Sequence, residues 1–163
     1  MTPIARCMQI PVQPQNLATA KNIAFRFLEV RPRSTKEIVD KLRSKGCTDS
    51  IVEQTITFLQ NQKFLDDERF ARDWVEYRLK QSYGTNRIIL ELKQKGIGRQ
   101  MIENALSLRM QDYFEEQTVA QLAQKRAGRY KSLEPVKRKK RIFDYLARRG
   151  FTLELIKKAV SQI

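Results

Sequence analysis

The sequence of 163 residues contains no histidine. Imidazole triads, histidine general bases and histidine metal ligands are therefore excluded. Cysteine is nearly absent: Cys7 and Cys47 are the only two, and neither stands in a C-x-x-C. Two are too few for a disulfide framework or a cysteine-rich zinc site, so a reduced, cytoplasmic protein is expected. No apolar run approaches ~18 residues, and the first residues lack the apolar core of a signal peptide, so neither a membrane partner nor a secreted product is expected. Glycine numbers six and proline five, and Pro3, Pro11 and Pro14 all fall in the first fourteen residues. Residues 1–16 accordingly read as a flexible leader, and the remainder favours helix. The "GIG" at 96–98 lacks the other glycines and the preceding strand of a phosphate-cradling loop. No catalytic residue, metal, cofactor or small-molecule substrate is indicated.

What the chain has in excess is positive charge, a net +14. A polyanionic partner is implied, nucleic acid first. The excess is uneven. Residues 1–65 carry ten Lys/Arg against five Asp/Glu, residues 66–122 nine against ten, and residues 123–163 thirteen against three. The last quarter therefore holds most of the surplus.

The chain also repeats itself. "IVDKLRSKGCT" (38–48), "IILELKQKGIG" (88–98) and "IFDYLARRGFT" (142–152) each place Ile eight residues before a Gly, Leu four before it, and Lys or Arg next to it. The glycines are Gly46, Gly96 and Gly150. Apolar residues continue five, six and ten positions further on, which is one face of a second helix. Glycine after a helix ending in a cation suits a left-handed C-terminal cap. A preceding helix over 18–30, 67–82 and about 113–129 completes each unit. The expected fold is all-α: three tandem three-helix repeats at 17–65, 66–110 and 111–163, stacked in an elongated, curved array. Ser34 with Glu37 reads as a capping box, and Thr85 and Thr152 as helix-start residues.

"FLDDERFARDW" (64–74) poses one sharp alternative, since Asp66, Asp67 and Glu68 could hold a metal. Consecutive helical residues diverge by ~100°, however, and no second acid cluster complements them. Asp66 at the N-cap, with Asp67 and Glu68 in the first turn, is the preferred reading. Phe70, Ala71, Trp74, Val75 and Tyr77 then form the buried face.

The longer stretch "FLDDERFARDWVEYRLKQSYGTNRIILELKQKGI" (64–97) resembles the RecX family of bacterial recombination regulators. The resemblance rests on Leu65-Asp66-Asp67, Arg69-Phe70-Ala71, Arg78, Gly84, Arg87-Ile88, Glu91-Leu92 and Lys95-Gly96-Ile97. "RPRSTKEIVDKLRSKG" (31–46) and "YLARRGF" (145–151) are similar to the family's first and last units. Thr85 departs from the Pro that many members carry there. The resemblance implies binding to the filament of the RecA recombinase, in its helical groove. It also implies modulation, most often inhibition, of strand exchange and ATP turnover in DNA repair and the SOS response. An autonomous DNA-binding protein is the alternative.

The shared motif reads mainly as caps, turns and core, and the contact surface is expected where the positive charge concentrates. In "PVKRKKRIFDYLARRG" (135–150), Val136, Ile142, Phe143 and Leu146 form an inner face. Lys137, Arg141 and Arg148 lie opposite, with Arg138, Tyr145, Lys140 and Arg149 beside them and Arg126 and Arg129 just upstream. This cationic stripe is the expected filament- or DNA-binding surface. Arg31, Arg33 and Arg72 are secondary candidates.

Overall fold

The computed structural model describes residues 16–110 and 114–163. The leader expected at 1–16 lies outside them except for Asn16, whose side chain accepts from the Thr19 amide and caps the first helix. The described residues form nine α-helices and no strand. They are α1 (Leu17–Val30), α2 (Thr35–Ser44), α3 (Asp49–Asn61), α4 (Asp67–Lys80), α5 (Thr85–Gln94), α6 (Arg99–Met110), α7 (Glu115–Arg129), α8 (Pro135–Arg149) and α9 (Leu153–Ser161).

Each set of three helices closes around its own core. Ile38, Leu42, Val52 and Leu59 are buried among α1–α3, Phe70, Val75, Ile88 and Leu92 among α4–α6, and Val119, Ile142, Leu146 and Ile156 among α7–α9. The Ile and Leu of the sequence repeat thus occupy the same place in all three sets. Burying each such side chain is worth about 2 kcal/mol.

The glycine turns are equivalent too. Gly46, Gly96 and Gly150 have φ of 82°, 79° and 87°, the left-handed region that costs other residues a Cβ clash. After each glycine the next amide bonds back to the repeat's leucine: Cys47 to Leu42, Ile97 to Leu92 and Phe151 to Leu146. Those three residues are buried, which adds the apolar contact typical of this cap. Cys47 is one of them, and burial pushes its thiol pKa up, so it stays protonated and behaves as a small apolar side chain.

Four helix starts are capped by short polar side chains, those of Asn16, Ser34, Asp66 and Thr152. Ser34 and Glu37 exchange the two bonds of a capping box, and Thr152 accepts from the Leu155 amide. Asp66 accepts from the Arg69 amide at 2.9 Å, with Asp67 and Glu68 in the first turn of α4. Thr85 differs from expectation. Gly84 is the N-cap of α5, and Thr85 is its first helical residue. The Thr85 amide and hydroxyl donate instead to the Glu115 carboxylate, thirty residues on, at 3.1 and 3.4 Å.

Two expected core residues are not in the core. Tyr77 is 52% exposed and Val136 is 72% exposed. Tyr77 lies beyond the edge of the apolar stripe of α4, and Val136 is in the first turn of α8, ahead of the point where α8 meets its neighbours.

The chain divides into two compact units, one ending at Leu65 and one spanning Asp66–Ile163. In the second unit, α4–α6 and α7–α9 meet at a close backbone contact. The Gly84 amide donates to the Arg149 carbonyl at 2.9 Å, and the Asn86 amide to the Gly150 carbonyl at 3.1 Å. A Cβ on Gly84 would fall 2.4 Å from the Gly150 backbone. Arg149 spans the same junction and donates from one guanidinium nitrogen to the carbonyls of Gln81 and Ser82.

Candidate polyanion-binding site

Cations on α4–α6 are largely paired. Arg69 meets Asp73, Arg72 meets Glu68, Lys80 meets Glu76 and Arg99 meets Glu103, each four residues apart along one helix. Arg109 reaches Glu76 from another helix. Glu91, buried to 8% exposure, accepts from Arg78, Arg87 and the Trp74 indole. Arg78 and Arg87 therefore belong to a buried polar cluster that holds α4 to α5, and their charge is spent internally. This cluster was not read from the sequence. Its signal was the pairing of Arg87 with Glu91, four apart.

On α7–α9 the balance reverses. Lys137 pairs with Glu134 at 3.4 Å, and Lys158 with Glu116. Among the described residues, Lys125, Arg126, Arg129, Arg138, Lys140, Arg141, Arg148 and Arg149 have no carboxylate within ion-pair distance. The surplus charge of the last quarter is thus unpaired charge.

Two groups of cations can be distinguished on α7 and α8. The first is the outward side of α8, where Lys137, Arg141 and Arg148 are exposed. Lys140 is exposed on another side of the helix, and Arg138 is half-buried with its Nε lacking a bond. The second group lines a cleft of about 250 Å³ where α7, α8 and the α4–α5 turn meet. Among the described residues its cations are Lys125, Arg126, Arg129 and Arg149, and no acid lines it. Arg126 lies over the Tyr145 ring at 3.9 Å. A hydrogen bond with Tyr145 is the main cause raising the Arg126 pKa further above its ordinary value. Arg149 lies 5.2 Å from the same ring centre and 4.8 Å from that of Tyr83.

The structure therefore brings Arg126, Arg129, Tyr145 and Arg149 into one cleft and leaves Lys137, Arg141 and Arg148 outside on the open face. Lys125 was not named from the sequence. It lies four residues before Arg129 on α7, a spacing that could have found it.

The secondary candidates are elsewhere. Arg31 and Arg33 both meet Glu37, at 2.6 and 3.6 Å, and Arg33 also lies 3.7 Å over the Phe27 ring. Burial is the main cause lowering the Arg33 pKa. Arg72 pairs with Glu68 at 3.7 Å. These three have intramolecular carboxylate partners, unlike the cations of the cleft.

Three three-helix sets in succession along the chain define an all-α helical-repeat protein. Three family models match in sequence: the first RecX three-helix domain over residues 20–59, the second over 66–106 and the third over 115–160. The chain belongs to the RecX family. It is 31% identical over 161 residues to the regulatory protein RecX of Clostridium tetani, covering 96% of this chain and 72% of that one. It is 34% identical to the regulatory protein RecX of Bacillus subtilis, covering 87% of this chain. The match spans about half (54%) of that longer relative. A crystal structure of RecX from Lactobacillus salivarius superposes with a TM-score of 0.73 at 26% identity, covering 90% of this chain and 95% of the other. The family is one of regulatory proteins.

Proposed function

We propose that this chain binds the DNA-bound filament of the RecA recombinase, in the filament's helical groove, and restrains its ATP turnover and strand exchange. The setting would be cytoplasmic DNA repair and the SOS response. Membership of the RecX family supports the partner. The observation that carries the surface is the concentration of unpaired cations on α7–α9, beside a preceding repeat whose cations meet their own acids. Surface charge left without a partner loses no hydration to an internal pair and acts on an approaching polyanion at long range. In this reading the repeats at 17–65 and 66–110 supply reach along the groove, and the repeat at 111–163 supplies the electrostatic contact. No step requires a catalytic group, cofactor or metal from the chain.

The test is RecA-dependent ATP hydrolysis on single-stranded DNA with increasing amounts of the chain. Turnover should fall, and the chain should bind filaments more tightly than naked DNA. If turnover is unchanged while naked DNA is bound as tightly as filament, the chain acts on DNA by itself.

A further inference from the structure

The cleft at the junction of α7, α8 and the α4–α5 turn differs in kind from the open face of α8. On that face Lys137 is paired with Glu134, and Asp144 lies at a helical offset among the cations. Among the described residues the cleft contains four cations and no acid. Four like charges around about 250 Å³ repel one another. One carboxylate from a protein partner would neutralise a single unit of that charge. Successive phosphates of a nucleic-acid strand supply several, and three of the four cations are arginines, whose planar forks match phosphate oxygens.

The aromatic residue in the cleft argues against base recognition. Arg126 covers the Tyr145 ring at 3.9 Å, and Arg149 stands 5.2 Å from the ring centre. A ring occupied in this way is a support for Arg126 and offers no platform for a base. The cleft wall is also composite. Residues 81 and 82 belong to the second repeat, and Arg149 holds them there through their carbonyls.

We propose that this cleft is a phosphodiester site, complete only while the second and third repeats are docked, and that it holds one DNA strand by its backbone without reading bases. The proposal rests on the reading that the basic third repeat faces the filament. It identifies the DNA strand as the component touched.

The experiment uses the full chain and short fluorescent oligo-dT and oligo-dA, with affinity measured across a salt series. Two variants each lose three cations: Lys125→Gln/Arg126→Gln/Arg129→Gln in the cleft and Lys137→Gln/Arg141→Gln/Arg148→Gln on the open face. The cleft variant should lose at least about tenfold in affinity. Its log–log salt slope should be shallower by about 2, since each strand phosphate contact contributes roughly 0.7. The open-face variant should lose less than about threefold, dT and dA should differ by no more than about twofold, and polyglutamate should compete poorly. A cleft variant that binds like the parent, a strong base preference, or displacement by polyglutamate as effective as by DNA overturns the proposal. If the cleft variant keeps naked-strand affinity and loses only filament binding, the phosphodiester site falls and the filament reading stands. If filament binding survives both variants, the filament surface is elsewhere.

Dependence on docking is read with Gly84→Ala, which keeps every cation and should weaken oligo-dT binding about tenfold. Glu115→Ala is the gentler second variant, since it removes the acceptor of the Thr85 amide and hydroxyl. It makes the chain more positive, so simple charge predicts tighter binding, whereas loss of the Thr85 anchor predicts weaker. Parent-like or tighter oligo-dT binding by a folded Glu115→Ala overturns the composite site.

Discussion

Asp66 shows how one residue decides between two chemistries. Its carboxylate accepts from the Arg69 amide, so it satisfies a donor that the start of α4 would otherwise leave exposed. Asp66→Ala should lower stability by about 1 kcal/mol, read as a shift of the urea midpoint at constant slope. Filament affinity per folded molecule should be unchanged. Collapse of binding with an unmoved midpoint would mean that the acids face a ligand. Asp66 was legible because capping is local: the cap residue and its partner amide are three positions apart. Val136 was misread for the converse reason. A helical period assigns a face, but where the neighbouring helices begin is a tertiary fact.

At the scale of elements, the structure separates glycines that a close approach or a left-handed φ requires from Gly128, which neither requires. Gly128 lies exposed within α7, and a Cβ there would meet nothing within 4 Å. Gly128→Ala should raise stability by ~0.5–1 kcal/mol through helix propensity. Gly84 is the opposite case, since its Cβ would press on the Gly150 backbone. Gly84→Ala should cost about 2 kcal/mol or more, with the transition broadened if the junction parts before the rest unfolds. The two substitutions can be compared in one thermal series. Glu91→Gln tests the link between α4 and α5: it removes the charge that two guanidiniums share while keeping the volume. A loss of about 2 kcal/mol is expected from urea unfolding, and a neutral result would mean that Arg78 and Arg87 find water instead. The three-helix sets were readable because Ile, Leu and Gly recur at fixed offsets. The Gly84–Gly150 contact and the Thr85–Glu115 bond were not, because each joins residues thirty or more positions apart with no period between them.

Across the whole molecule, the charge gradient in the sequence becomes a difference in pairing. The middle of the chain places its acids within reach of its cations, while the last third has too few acids to do so. The gradient was visible in a residue count. The division of the last repeat's cations between an open face and a cleft was not, because the cleft needs α7, α8 and the α4–α5 turn together. Coulomb attraction from unpaired charge should be screened over ~8 Å at physiological ionic strength, so the proposed filament contact should weaken steeply with salt. The direct test is the affinity for RecA filaments on single-stranded DNA, across a salt series, of a variant with Lys125, Arg126, Arg129, Lys137, Arg141 and Arg148 all changed to Gln. With the buried residues Ile142, Leu146 and Ile156 untouched, its circular dichroism should match the parent. The expected result is a loss of about a hundredfold or more at low salt, narrowing as salt rises until the two proteins converge. Parent-like affinity at every salt concentration would contradict the assignment of binding to the third repeat.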